Sequence, residues 1–484
     1  MPDSTTAFQE PFRVTVYAVR FRPNGSWSWV CAFSSRYRFY VPQFAAFLRR
    51  CSLTRRKGLT MSIPQDSASA STPSTITRRV FLGAIAATAG SAALAACGAG
   101  GATSDASVSP AADASATASQ SASAASDVRM ITPPNLDTAH LGEHVLCYRP
   151  LRKGKPNLTV ETMGNTVVAH NYGHGGSGWT LGPGSAKYVI DLVEASPAGS
   201  KVAKDAPVTI VGAGVIGLFT AYELVQRGYT NITVKATSFK DLTSHNAGGL
   251  LAPVSMDNDP EFQKIVDKIG IDAYKFYAEI ANGTQPDFKT GAKVIPAYFE
   301  DREHSGLEPY VGQVMQPAKD VVLDFGNGTT REMVSYDDGI FMDTAVLMKS
   351  LHDYLEPKMP FIQEKVTDLT SLGSPLVFDC SGLGAAKLND DAEVVSVQGH
   401  LVMLRDQTPT DLQHMILVYF KEGTTEAGQH VKRSFYMFPK HLPGTGVNDV
   451  GVVGGTFVEG GTPETPNYQE FDTMITAAKK FYGM

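Results

Sequence analysis

The sequence predicts an α/β protein: a doubly wound parallel sheet beside a second, mainly antiparallel domain. Three observations predict it. A short apolar run, Val208–Val211, leads into Gly212-Ala213-Gly214-Val215-Ile216-Gly217 and then into apolar positions at helical spacing. Short β-branched runs bounded by turn residues recur towards the C-terminus, over 395–404, 434–439 and 450–456. A second glycine-rich stretch, NYGHGGSGW (171–179), stands before the first. An elaborate backbone turn ahead of the element that ought to open the domain needs an explanation.

The N-terminal part reads as an address label and a tether. Residues 1–60 hold ten Lys/Arg against two acidic residues, leaving 32 basic and 46 acidic residues in the rest, a balance of −14. An acidic body speaks against nucleic acid as a partner. Residues 1–60 show no amphipathic period and read as an upstream extension, with Met61 as the expected start. In TRRVFLGAIAATAGSAALAAC (77–97), Arg78 and Arg79 precede an Ala/Gly-rich run, which resembles a twin-arginine export signal. Leu94-Ala95-Ala96-Cys97 resembles a bacterial lipobox, which implies a membrane partner through lipid on Cys97. The run of roughly 17 residues is short and weakly apolar for a transmembrane span. Residues 98–127 are almost entirely Ala, Ser, Gly and Asp, too poor in apolar surface to offset ordering entropy, and read as a disordered tether.

The body, 128–484, opens its nucleotide-binding part at 205–236. Gly212 makes the tight turn, Gly214 admits a pyrophosphate to the backbone, and Gly217 lets helix and strand pack closely. Ala213, Val215 and Ile216 complete the turn, where the helix N-terminus offers amide donors to phosphate. Gly228 ends the helix and 232–234 reads as the second strand. The acidic residue expected at the end of that strand is missing: the run is Lys235-Ala236-Thr237-Ser238, with Asp241 or a hydroxyl as substitutes. Alone, the motif fits FAD or NAD. Of the five cysteines, Cys147 and Cys380 lie in this body; they read as buried free thiols, with a disulfide the alternative. No CxxC or Cys/His cluster appears, so no metal site is predicted.

Further stretches decide the cofactor. They are LTSHNAGGLLAPV (242–254), VFDCSGLGAAKL (377–388), SFYMFPK (434–440), and VLCYRPLRKGKP (145–156) running into VVAHNYGHGGSGWTLG (167–182). Together they resemble the D-amino acid oxidase family of FAD enzymes, over roughly 130–484. In that family the RP and NYGHGG segments end the chain; here they come first, and the chain closes on YQEFDTMITAAKKFYGM (468–484), an amphipathic helix pattern. Each motif occurs once, so the order implies a circular permutation, with NYGHGG a second flavin cradle displaced in sequence only.

The resemblance implies FAD as cofactor and a D-amino acid and oxygen as reactants. Arg149 matches the family's carboxylate-binding arginine, and Tyr436 the tyrosine that donates to the same carboxylate. Thr243 and Ser244 resemble residues near the phosphates and ribose; Gly249 and Leu250 resemble backbone facing the flavin. Gly175, Gly176, Gly178, Trp179 and Thr180 resemble the turn that holds the ring's pyrimidine end, where donors favour hydride acceptance. The implied reaction transfers hydride from the substrate α-carbon to flavin N5. The imino acid then hydrolyses to a 2-oxo acid and ammonia, and oxygen reoxidises the flavin with release of hydrogen peroxide. No side-chain base is implied, so activity should rise with pH. Departures include Lys432 and Arg433 at a position often aromatic, Val254, and VQGHL (397–401). The two cations raise acidic D-amino acids as substrates.

The expected layout assigns about 145–255 and 360–390 to FAD binding, and about 256–359 and 391–484 to the substrate domain. Rival readings are a flavin oxidase or dehydrogenase of another small amine, such as glycine or sarcosine, and a tethered FAD-containing binding protein without activity. The expected location is the outer side of a bacterial membrane or the cell envelope. The sequence assigns no oligomeric state.

Overall fold

The central strands of the nucleotide-binding part are mainly apolar, as strands covered on both faces tend to be, with His170, Asn171 and Asp379 among the buried polar exceptions. Val208–Val211, Leu376–Asp379 and Thr166–Tyr172 are buried at every position. They lie at the centre of a six-stranded sheet in the order Phe361–Gln363, Ile232–Ala236, Val208–Val211, Leu376–Asp379, Thr166–Tyr172, Asn157–Met163. All pairs are parallel except the last. The helices Gly178–Ala195 and Val215–Gln226 each pack their apolar residues into one core with these strands. Val208–Val211 agrees with the sequence reading residue for residue, and the second strand runs two residues beyond it.

In this computed structural model the described residues are 18–20, 27–29, 127–254, 256, 258–407, 412–420, 422–440 and 449–484. The chain divides into two units, Met1–Asp113 and Ala114–Met484. In the first, Ala18–Arg20 and Trp27–Trp29 form an antiparallel pair; the export signal lies outside the described residues, as does the tether up to residue 126.

The second sheet has ten strands and is mainly antiparallel. Its order is Asp127–Met130, Lys319–Asp324, Thr330–Tyr336, Ala297–Phe299, Met415–Tyr419, His430–Pro439, Asp449–Glu459, Val394–Arg405, Leu141–Arg152, with Gly423–Thr424 beside His430–Pro439. The sequence runs at 395–404, 434–439 and 450–456 are adjacent strands in it. Leu141–Arg152 departs from the expected layout, which put residues from about 145 with FAD binding. It pairs instead along Val394–Arg405 over ten residue pairs, Val397 opposite Arg149 and Gly399 opposite Cys147.

The C-terminal helix Gln469–Tyr482 lays Phe471, Met474, Ala478 and Phe481 into the core of the large sheet. Arg433, from His430–Pro439, pins it through both oxygens of buried Glu470 at 2.8 and 2.7 Å. Both ends of the body reach one hairpin. Ile131 N donates to Asp324 O at 2.9 Å, while Asn327 Nδ2 donates to Tyr482 O at 2.8 Å and Arg331 Nη2 to Lys480 O at 3.0 Å.

Candidate cofactor and substrate site

The turn after Val208–Val211 is forced by its glycines. Gly212 has φ +112°, and a Cβ there would overlap the Cys380 carbonyl. A Cβ on Gly217 would overlap the Gly212 carbonyl, so its absence brings the helix onto the strand. Gly214 is the extended N-cap of Val215–Gln226, and the Val215 amide donates to Ser244 Oγ at 3.0 Å. Gly212, Ala213, Gly214, Val215 and Ile216 line a cavity of about 730 Å³. Gly217 does not: its part is packing.

The same cavity is lined by Thr243, Ser244, Gly249 and Leu250, and by Gly175, Gly176, Gly178 and Trp179. The two turns therefore meet in space, although thirty residues separate them. Trp179 Nε1 donates to Ser244 O at 2.9 Å and ties one to the other. Thr243 Oγ1 donates to Tyr148 O at 2.9 Å, which joins the 243–250 loop to the strand carrying Arg149. Thr180 is set apart. One residue further round the helix, it is buried away from the cavity; its hydroxyl donates to Ala252 O at 2.9 Å and accepts from Ala252 N at 3.1 Å. It holds the loop rather than facing a ligand.

The large sheet supplies Cys147, Arg149, Leu401, Tyr436, Phe438 and Phe457 to the lining. Arg149 lies flat because a glycine faces it: a Cβ on Gly399 would sit 2.5 Å from Nη1. Its Nη1 donates to Thr456 O at 3.0 Å, and its guanidinium lies 4.5 Å from the Phe457 ring centre. Tyr436 stacks on Phe438 with centroids 4.7 Å apart and ring planes 2° apart. Burial raises the Tyr436 phenol against the pull of Arg149, so it stays protonated and able to donate at neutral pH. Register shifts fall here on both sides of Asp449–Glu459, between Arg433 and Tyr436 and between Gln398 and Leu401. Such bulges re-aim side chains.

Lys432 and Arg433 do not line this cavity. Lys432 pairs with Glu422 at 3.5 Å and Arg433 with Glu470. Neither cation reaches the cavity: Lys432 is exposed beside Glu422, and Glu470 draws Arg433 onto the C-terminal helix, so both sit as solvated or structural charges rather than at the pocket mouth. Val254 also lies off the lining, its carbonyl accepting from Ser177 Oγ. Cys147 and Cys380 are buried free thiols, as read.

The lining extends beyond the expected residues, and four of the additions are His174, Asn171, Ser381 and Glu364. His174 is fully enclosed; burial lowers it to about 4, so it is neutral, and its Nε2 has no partner. Asn171 Oδ1 and Ser381 Oγ are likewise buried and unpartnered. Glu364 is the one carboxylate among the described lining residues. The motif NYGHGG held the signal for Asn171 and His174; Ser381 and Glu364 come from strands whose neighbours only the fold reveals.

Three orphaned polar atoms, a glycine turn at a helix N-terminus, and an apolar wall fit a large ligand with a phosphate-bearing part and a polar ring, as FAD has. Gly212, Ala213, Gly214 and Val215 would hold its phosphates; the 243–250 loop and the 175–179 turn would flank its ring.

The model of the FAD dependent oxidoreductase family, DAO, matches residues 207–483. A D-amino-acid oxidase of Streptomyces coelicolor is 25% identical over 215 residues, which make up 42% of this chain and 60% of that protein. One of Dictyostelium discoideum is 24% identical over 207 residues, 41% of this chain and 57% of that one. The chain thus spans about 60% of the length of the curated relatives it matches. Among solved structures, glycine oxidase from Geobacillus kaustophilus aligns with a TM-score of 0.38 at 16% identity, over 57% of this chain and 80% of that one. The family match takes in more than half of the sequence, from the strand before the glycine turn to the end of the last helix, and the chain belongs to the DAO family of FAD dependent oxidoreductases.

Proposed function

We propose that this enzyme oxidises D-amino acids to 2-oxo acids and ammonia, with oxygen taken to hydrogen peroxide. The observation that carries the reading is a buried arginine and a buried tyrosine, Arg149 and Tyr436, in the same cavity as the dinucleotide turn. FAD, when bound, supplies the hydride acceptor. Arg149 takes the substrate carboxylate through the guanidinium edge left free by Thr456, and Tyr436 donates the second hydrogen bond. The aromatic wall of Phe438 and Phe457 excludes water from the α-carbon. Glu364, the one carboxylate among the described lining residues, follows the outer parallel strand Phe361–Gln363, and His174 is too weak a base at neutral pH. The substrate amine then loses its proton to solvent, so turnover rises from pH 6 to 9; a flat profile contradicts this.

Replacing the arginine tests the reading. Arg149→Met should lower kcat/KM for D-amino acids by about a hundredfold or more, the cost of a charge-assisted bidentate contact in a dry site. It should leave the slow oxidation of the matching decarboxylated amine nearly unchanged. Equal losses for both would show that Arg149 does not read the carboxylate.

We also read the chain as circularly permuted, and as exported by the twin-arginine route and anchored by lipid on Cys97. The meeting of both body ends at one hairpin supports the first. The motif at 77–97 supports the second, and Cys97→Ala should move the protein from the membrane to the soluble fraction.

A further inference from the structure

Folds of this kind hold the adenosine ribose with a carboxylate at the end of the second strand. Here that strand, Ile232–Ala236, ends in Lys235-Ala236-Thr237 with no acid. The neighbouring strand supplies one. Phe361–Gln363 runs parallel to it with Gln363 opposite Ala236, and the Glu364 amide donates to Ala236 O at 2.9 Å. Backbone hydrogen bonding thus fixes Glu364 at the end of the second strand. The place is beside the glycine turn, since Gly212 N donates to Lys235 O at 2.8 Å.

Glu364 lines the same cavity as that turn. Lys235 Nζ lies 2.8 Å from its Oε2 and holds the carboxylate in place. An ion pair as exposed as this one adds little to stability, so a structural role alone gives Glu364 little to do. We propose that Glu364 replaces the missing acid: its Oε1 accepts a hydrogen bond from a ribose hydroxyl of the FAD adenosine, and Lys235 is its positioning residue. The inference rests on FAD occupying this cavity.

The test is titration of the full-length apoprotein, followed by flavin fluorescence, with FAD and with FAD analogues lacking the 2′- or the 3′-hydroxyl of the adenosine ribose. The wild type should bind one of the two analogues about ten- to a hundredfold more weakly than FAD. Glu364→Ala should bind FAD more weakly by a similar factor and no longer distinguish that analogue. Glu364→Gln, which keeps the shape and serves if the alanine variant does not fold, should fall between. A variant that binds FAD as the wild type does, or that discriminates as the wild type does, overturns the proposal alone. A wild type that binds no FAD overturns the cofactor assignment and the proposal with it.

Discussion

Arg149 owes its position to a glycine on the neighbouring strand. Its guanidinium lies where a side chain on Gly399 would be, and the Tyr436 ring likewise lies over Gly454. Gly399→Ala puts a carbon 2.5 Å from Nη1 and must displace it. Since misplacing a binding group by about 1 Å can cost roughly a hundredfold in rate, kcat/KM should fall at least tenfold. FAD affinity should stay unchanged, because Gly399 is not on the cavity lining. Steady-state kinetics beside a flavin titration check this, and an unchanged kcat/KM removes Gly399 from the account. Arg149 and Tyr436 could be picked out as candidates because each sits in a local run with a recognisable neighbour, and the two do share one cavity. Gly454 carried no signal, and Gly399 stood in the flagged stretch VQGHL without a readable role: what the two face comes from strands 18 and 250 residues away. Thr180 shows the reverse failure, where helix geometry turned a residue of a legible motif away from the cavity.

Among the elements, Lys440 is the clearest tie. It follows His430–Pro439, is buried, and donates to His245 O at 3.1 Å, Ala247 O at 2.8 Å and Thr344 Oγ1 at 2.8 Å. It thereby fastens the loop at 243–250, which lines the cavity, to the large sheet and to the helix Thr344–Leu355. Burial lowers its ammonium from 10.5 to about 8. Between those values the unfolded chain holds a proton that the folded chain releases, so folding gains stability as pH rises from about 8 to 10.5. Below 8 the full cost of burying the cation is present. Lys440→Met titrates in neither state. The wild type's stability relative to this variant should therefore climb by on the order of 2 kcal/mol between pH 7 and 10. Denaturant melts at the two pH values measure it; a constant difference would show that Lys440 does not titrate in this range. Strand positions were legible from apolar runs and turn residues, with errors of a few residues at the ends. The pairing of Leu141–Arg152 was not, because ladder partners are set across the sheet and leave no local trace.

For the molecule as a whole, the order of its motifs was the legible feature, and the meeting of its ends was not. The body begins and ends on the hairpin joining Lys319–Asp324 to Thr330–Tyr336. On the permuted reading, a variant that joins residue 484 to residue 133 by a short linker and opens the chain near residue 204 should fold, bind FAD and melt within a few degrees of the natural order. Failure of several linkers to give folded protein would argue against that reading. The central claim is the oxidation of D-amino acids in the cavity shared by the two sheets. Its most direct test is anaerobic mixing of the purified flavoprotein with matched D- and L-amino acids while the visible flavin absorbance is followed. The account predicts bleaching by D-isomers, none by their L-counterparts, and recovery with peroxide release when air is admitted. A yellow protein that no D-amino acid bleaches would contradict it.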